Sequence, residues 1–120
     1  ATVPAGNLPK GVAVTPDGAR VYVTNLFSDN VSVISAASNT VIATVPVGNF
    51  PIGVAVTPDS ARVYVANADT DTVSVISTAS NTVVDTVPAG DLPDGVAVTP
   101  DGAFVYVANQ GSNNVSVIST

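Results

Sequence analysis

One 42-residue unit governs this chain. Gly11-Val12-Ala13-Val14-Thr15-Pro16-Asp17 returns at Gly53 and at Gly95, Tyr22-Val23 returns at Tyr64 and Tyr106, and Val31-Ser32-Val33-Ile34-Ser35 returns at Val73 and Val115. No insertion or deletion breaks the register; residues 1–42 and 43–84 agree at 31 of 42 positions, and 85–120 follow in step. A period of roughly 20–50 residues points to a solenoid, a propeller or an array, because one unit cannot bury its apolar face alone and must stack on the next.

Each unit reads as four short strands. Gly11–Thr15 and Arg20–Thr24 flank the turn Thr15-Pro16-Asp17-Gly18, where proline pre-sets φ, aspartate fits the following position and glycine tolerates the exit. Val31–Ser35 and Thr40–Val45 flank a second turn at Ala36–Asn39, and Pro46 ends the fourth strand because it cannot donate to a ladder. β-branched residues dominate, and no 3.6-residue period appears. Apolar side chains on both faces, as at Val21 beside Tyr22 and Val33 beside Ile34, call for a sheet sandwiched between neighbours. The expected fold is all-β: residues 1–120 as one β-propeller segment of 42-residue, four-stranded blades at 1–42, 43–84 and 85–120, the last short of its outer strand.

Composition narrows the chemistry. Nine acidic residues, all Asp, stand against Lys10, Arg20 and Arg62 for a net charge of −6. That balance argues against nucleic acid, which needs a basic footprint. No apolar run approaches the ~18 residues of a membrane-spanning helix. The sequence has no Cys, His, Met or Glu, which removes disulfides, thiolate and imidazole catalysis and most zinc or haem ligation. No catalytic, cofactor-binding or metal-binding set is expected, and the leading expectation is that the chain is not an enzyme.

Tyr22-Val23-Thr24-Asn25, Tyr64-Val65-Ala66-Asn67 and Tyr106-Val107-Ala108-Asn109, with the surrounding Pro-x-Gly-Val-Ala-Val-Thr-Pro-Asp stretch, resemble the signature of the YVTN-type β-propeller repeat. Two of the three copies carry Ala in place of the signature Thr. The resemblance implies a propeller of secreted, surface-layer or periplasmic proteins, hence an extracellular or cell-surface location, and brings no common catalytic residue.

Propellers usually close with ~4–8 blades. Three blades leave two Val-rich faces open, so the chain is expected to associate with itself: six blades as a dimer is the favoured ring, ahead of a nine-bladed trimer, a filament or a piece of a longer propeller. Ala1-Thr2-Val3-Pro4 repeats Ala43–Pro46, the second half of a fourth strand, so it is the expected assembly strand for the short last blade of another copy.

Differences between copies cluster. Of the 11 between the first two, eight lie in or beside the connections Ala5–Lys10 and Thr24–Asn30, which share one rim of an up-and-down blade. Variation on one rim is what a binding face shows, and it is also what free drift of long loops shows. The expected interaction rim comprises Leu8, Lys10, Leu26, Phe27, Phe50, Asp69, Asp71, Asp94 and Gln110, with Leu26-Phe27 as a possible anchor for a protein or glycan. Asp69-Thr70-Asp71 has too few carboxylates for a calcium loop and reads as solvated. Asn30-Val31-Ser32 and Asn114-Val115-Ser116 are glycosylation sequons at equivalent positions, and both asparagines otherwise simply start a strand. Asn25, Asn67 and Asn109 are expected to satisfy backbone groups at the end of the second strand. The expected function is a non-enzymatic structural or interaction scaffold; the alternatives are a propeller enzyme, a metal-dependent binding module, or an amplified or engineered repeat with no selected ligand.

Overall fold

A computed structural model describes all 120 residues. It contains eleven strands and no helix: β1 Pro9–Val14, β2 Arg20–Asn25, β3 Asn30–Ser35, β4 Thr40–Pro46, β5 Pro51–Val56, β6 Arg62–Asn67, β7 Thr72–Ser77, β8 Thr82–Pro88, β9 Pro93–Val98, β10 Phe104–Asn109 and β11 Asn114–Ser119. They form three antiparallel up-and-down sheets, β1-β2-β3-β4, β5-β6-β7-β8 and β9-β10-β11. The first strand of each blade starts two residues earlier than its apolar pattern suggests. Pro9 pairs with Asn25 across a bulge that separates it from the Val12↔Val23 pair, and a strand's first position is one where the missing proline N–H costs nothing.

The innermost strands β1, β5 and β9 lie side by side, whereas the outer strands β4 and β8 barely touch, so the blades fan out from an axis. Glycine permits that convergence. A side chain at Gly11 would run into the Ile52 carbonyl of the next blade, and one at Gly53 into the Asp94 carbonyl.

The core lies between blades. Tyr22, Val31, Val33 and Val45 of the first blade meet Val63, Val65 and Ile76 of the second. Tyr64, Ala66, Val73 and Val75 of the second meet Val105, Val107 and Ile118 of the third. This is the two-faced burial that apolar residues on both sides of each strand require. The expected all-β propeller blades are thus present, the third with three strands.

Candidate functional site

Each blade sends two segments to one rim, here the loop rim: the lead-in to its innermost strand and the connection between its second and third strands. Backbone bonds knit them together. Leu26 N donates to Leu8 O (2.9 Å), Ala68 N to Phe50 O (3.0 Å) and Gln110 N to Leu92 O (2.9 Å). Beneath them sits a buried asparagine. Asn25 Nδ2 donates to Asn30 Oδ1 (2.8 Å) and Ser32 Oγ (2.9 Å), while its Oδ1 accepts from Gly6 N (3.1 Å). Asn109 repeats the bracket with Asn114 Oδ1, Ser116 Oγ and Gly90 N. Asn67 donates to Thr72 Oγ1 and Ser74 Oγ, but its Oδ1 is the one buried side-chain polar atom without a partner. Asn30 and Asn114 thus begin strands with their carbonyl oxygens engaged by the brackets.

On this framework the rim displays large apolar groups. Leu8, Phe50 and Leu92, each preceding a proline, adopt left-handed φ of 50°, 60° and 50°. Bulky residues avoid that region, at a cost of about 1–3 kcal/mol each unless surrounding bonds impose it. What all three share is the carbonyl bond described above; Phe50 N also donates to Asp29 Oδ1 and Leu92 N to Asp71 Oδ1, both at 3.0 Å, whereas Leu8 takes the same φ without such a carboxylate. Leu8 and Phe27 remain 52% and 59% exposed. Phe27 packs against Phe50 across the first joint, with ring centroids 5.6 Å apart.

The structure brings the expected rim residues to one side. Leu8, Leu26, Phe27, Phe50, Asp69 and Gln110 stand in or beside the knitted loops, and Lys10 and Asp94 open β1 and β9 near the axis, with Ile52 between them on β5. Lys10 is exposed and Asp94 half-buried. Asp71 is solvent-exposed, and its carboxylate also accepts from Leu92 N of the next blade. The sequence reading missed Leu92, and its place in register with Leu8 and Phe50 was the available signal.

The opposite, turn rim repeats one lock. Thr15 Oγ1 donates to Asp17 Oδ1 (2.6 Å) and accepts from Arg20 N (3.1 Å), and Asp17 Oδ1 also accepts from Ala19 N (2.9 Å). Thr57–Asp59 and Thr99–Asp101 do the same. The threonine hydroxyl first, and the alanine N–H second, hold all three carboxyls below their ordinary value. Burial raises the Tyr22 and Tyr64 hydroxyls above theirs. The largest cleft, about 430 Å³, opens here between blades two and three along Thr57, Asp59, Arg62, Tyr64 and Asp101. A smaller copy lies at the first joint, along Thr15, Asp17, Arg20 and Ser60. It is a seam of the repeat, and its carboxylates are engaged inside their own turns.

A family model described as lactonase, seven-bladed β-propeller, matches residues 1–83 and again residues 48–120. Among solved structures, Kuenenia stuttgartiensis hydrazine synthase matches with a TM-score of 0.92 and 32% identity over 99% of this chain and 34% of that one. A Desulfotomaculum acetoxidans protein of unknown function matches with a TM-score of 0.78 and 22% identity, over 97% of this chain and 43% of its own. A Bacteroides uniformis protein assigned as a 6-phosphogluconolactonase gives 0.84 and 20%, over 97% and 37%. The last two likenesses show the fold alone, and this chain spans less than half of each of the three. No curated protein matches the sequence. The comparisons support the propeller without singling out the YVTN repeat type. They correct the expectation that the chain is not an enzyme: the lactonase match points to an enzyme-related propeller family. A shortage of titratable residue types could not reveal this, because the family is written in the blade framework.

Proposed function

This chain belongs to the lactonase family of seven-bladed β-propellers, and from that premise we propose that it forms three consecutive blades whose loop rim meets a ligand. One observation carries the reading. In every repeat a bulky apolar residue of the loop rim stands on a left-handed backbone, exposed at Leu8 and Leu92 and half-buried at Phe50, in a blade whose second strand ends on a buried asparagine. Strain of this kind is kept where surroundings over-determine it, and it collects at binding surfaces. Phe27 and Phe50 supply aromatic faces, Asp69 and Asp94 supply negative charge, and Lys10 is the rim's one cation. That mixture suits an amphipathic cation, whose apolar part covers the phenyl rings while its charge faces the carboxylates. The repeat's YVTN resemblance supports an extracellular setting.

The test is amide NMR with phenethylammonium as the probe. Saturable shifts are expected at residues 26–28, 49–52 and 68–71, and Phe27→Ala should weaken binding by about threefold or more. Shifts confined to the Thr15–Gly18 turn, or none that saturate, would defeat the reading. The family's name supports a second reading, in which the complete ring acts on a lactone and Asp94, half-buried near the axis, is the carboxylate placed to activate water. Base uptake on glucono-δ-lactone, lost in Asp94→Asn, is the result that favours it.

A further inference from the structure

The segment that leads into a blade's innermost strand first runs past the outer strands of that blade, and a cleft lies between the two. In the second blade the crossing Pro46-Val47-Gly48 borders a cleft of about 400 Å³ with Thr70 and the outer strands β7 and β8. Pro4-Ala5-Gly6 borders the corresponding cleft of the first blade, about 230 Å³. Every wall of the larger cleft lies within residues 46–86, and both blades that supply it have all four strands.

Blades one and three complete the polar floor of this place, and blade two does not. Asn25 Oδ1 accepts from Gly6 N and Asn109 Oδ1 from Gly90 N, both at 3.1 Å, whereas the Oδ1 of Asn67, a fully buried residue, has no partner. Gly48, on the cleft wall, lies against the Asn67 amide: a side chain there would run into that amide and into the Thr70 hydroxyl. Glycine therefore leaves the amide reachable from the cleft. The lining changes in the same blade. Asn25 donates to Asn30 Oδ1 at 2.8 Å and Asn109 to Asn114 Oδ1 at 2.9 Å, but Asn67 meets Thr72 Oγ1 at 3.2 Å, on a side chain that reaches one bond less far.

The chemistry of the cleft selects its ligand. Thr70, Thr72, Ser74 and Thr86 line it with hydroxyls, Val47 and Val83 supply an apolar wall, and no charged side chain takes part. A hydroxyl both donates and accepts, so a row of them matches the adjacent hydroxyls of a polyol, while the free Asn67 oxygen calls for a donor. An ion would give up its hydration here with no opposite charge to replace it. The volume falls in the range of small-molecule sites, about 300–1,000 Å³. A buried oxygen left without a bond destabilises its surroundings, and a ligand hydroxyl that reaches it supplies that bond.

We propose that this outer cleft of the second blade binds a neutral pyranose sugar. One sugar hydroxyl donates to Asn67 Oδ1, others exchange bonds with Thr72, Ser74 and Thr86, and a C–H face of the ring covers Val47 and Val83. The site is separate from the Phe27–Phe50 surface and does not depend on it.

Amide NMR on the isotope-labelled chain, with methyl β-D-glucopyranoside as the probe, tests the proposal. Saturable shifts are expected at Gly48, Thr72, Ser74 and Thr86. Shifts that never saturate, or that gather at residues 26–28, overturn it. Thr72→Asn is the sharpest variant, because blades one and three carry asparagine at this position and fold with it. It should keep the melting temperature and weaken sugar binding by about fivefold or more; binding as tight as the parent's overturns the site. Thr86→Val, which removes one exposed hydroxyl with little change of shape, should weaken binding by about threefold. Phe27→Ala should bind the sugar as the parent does, and a loss there would move the sugar to the loop rim and defeat the outer cleft.

Discussion

The turn rim and the loop rim are built from the same eleven strands and obey different rules. On the turn rim, Thr–Asp locks recur in all three blades with nearly equal distances, and each carboxylate is used within its own turn. On the loop rim an equally repetitive layer, the asparagine brackets and left-handed pre-proline residues, lies under side chains that change from blade to blade: Phe27, Asp69 and Gly111, or Lys10, Ile52 and Asp94. A tight turn keeps the threonine and aspartate that complete its own hydrogen bonds and varies only at its exit, Gly18, Ser60 and Gly102. A knitted pair of loops satisfies its backbone internally and leaves the outward side chains free.

If that contrast is right, mutations should separate by layer. The largest effect is expected at Gly53→Ala, whose new carbon overlaps the Asp94 carbonyl: a loss of about 3 kcal/mol and a Tm drop on the order of 10 °C, while Gly95→Ala stays within about 0.5 kcal/mol. Next comes the bracket. Asn25→Ala should cost about 2–3 kcal/mol by urea melting, and Asn67→Ala less, because its Oδ1 makes no bond to lose. Thr57→Val, which strips the buried hydroxyl from a turn lock, should cost about 1–2 kcal/mol.

The pH dependence follows from the same lock. Folding lowers the Asp17, Asp59 and Asp101 carboxyls, so their contribution is fully present above the ordinary value of 3.8 and is lost as pH falls through the lowered folded values. Urea melts taken from neutral pH downward should show stability falling in that acid window. The triple Asp→Asn variant should show a shallower fall, and an equally steep one would remove the locks from the account. The smallest effect is expected at Phe27→Ala, under about 1 kcal/mol despite the loss of a ring contact, because most of the side chain is already in water. A larger loss would make Phe27 part of the framework and break the division between layers.

Much of this layering was legible in the residues. Thr15-Pro16-Asp17-Gly18 announces a turn by local chemistry alone, and the expected backbone partners exist for Asn25 and Asn109, at Gly6 and Gly90, but not for Asn67, which bonds only the Thr72 and Ser74 side chains. The left-handed backbone at Leu8, Phe50 and Leu92 was not legible. A bulky residue before proline is ordinarily extended, and the bond from the facing loop to each carbonyl, common to all three, accompanies the rarer conformation. The bond from Leu92 N to the exposed Asp71 carboxylate was not legible for the same reason, since the two residues lie in different blades. A propeller enzyme stood only as an alternative because the chain holds no Cys, His or Glu to mark a catalytic set.

By itself the sequence determined the blade: a 42-residue period, alternating Val and Thr, and turns fixed by Pro, Asp and Asn are short-range facts that each repeat states alone. The tertiary structure decided which half of every apolar pair faces forward, which carboxylates bind across a joint, and which side chains are left outside. Those outcomes depend on contacts between successive blades, such as Tyr22 with Asn81, 59 positions on, or Asp29 with Phe50, 21 positions on, and no single repeat contains both partners.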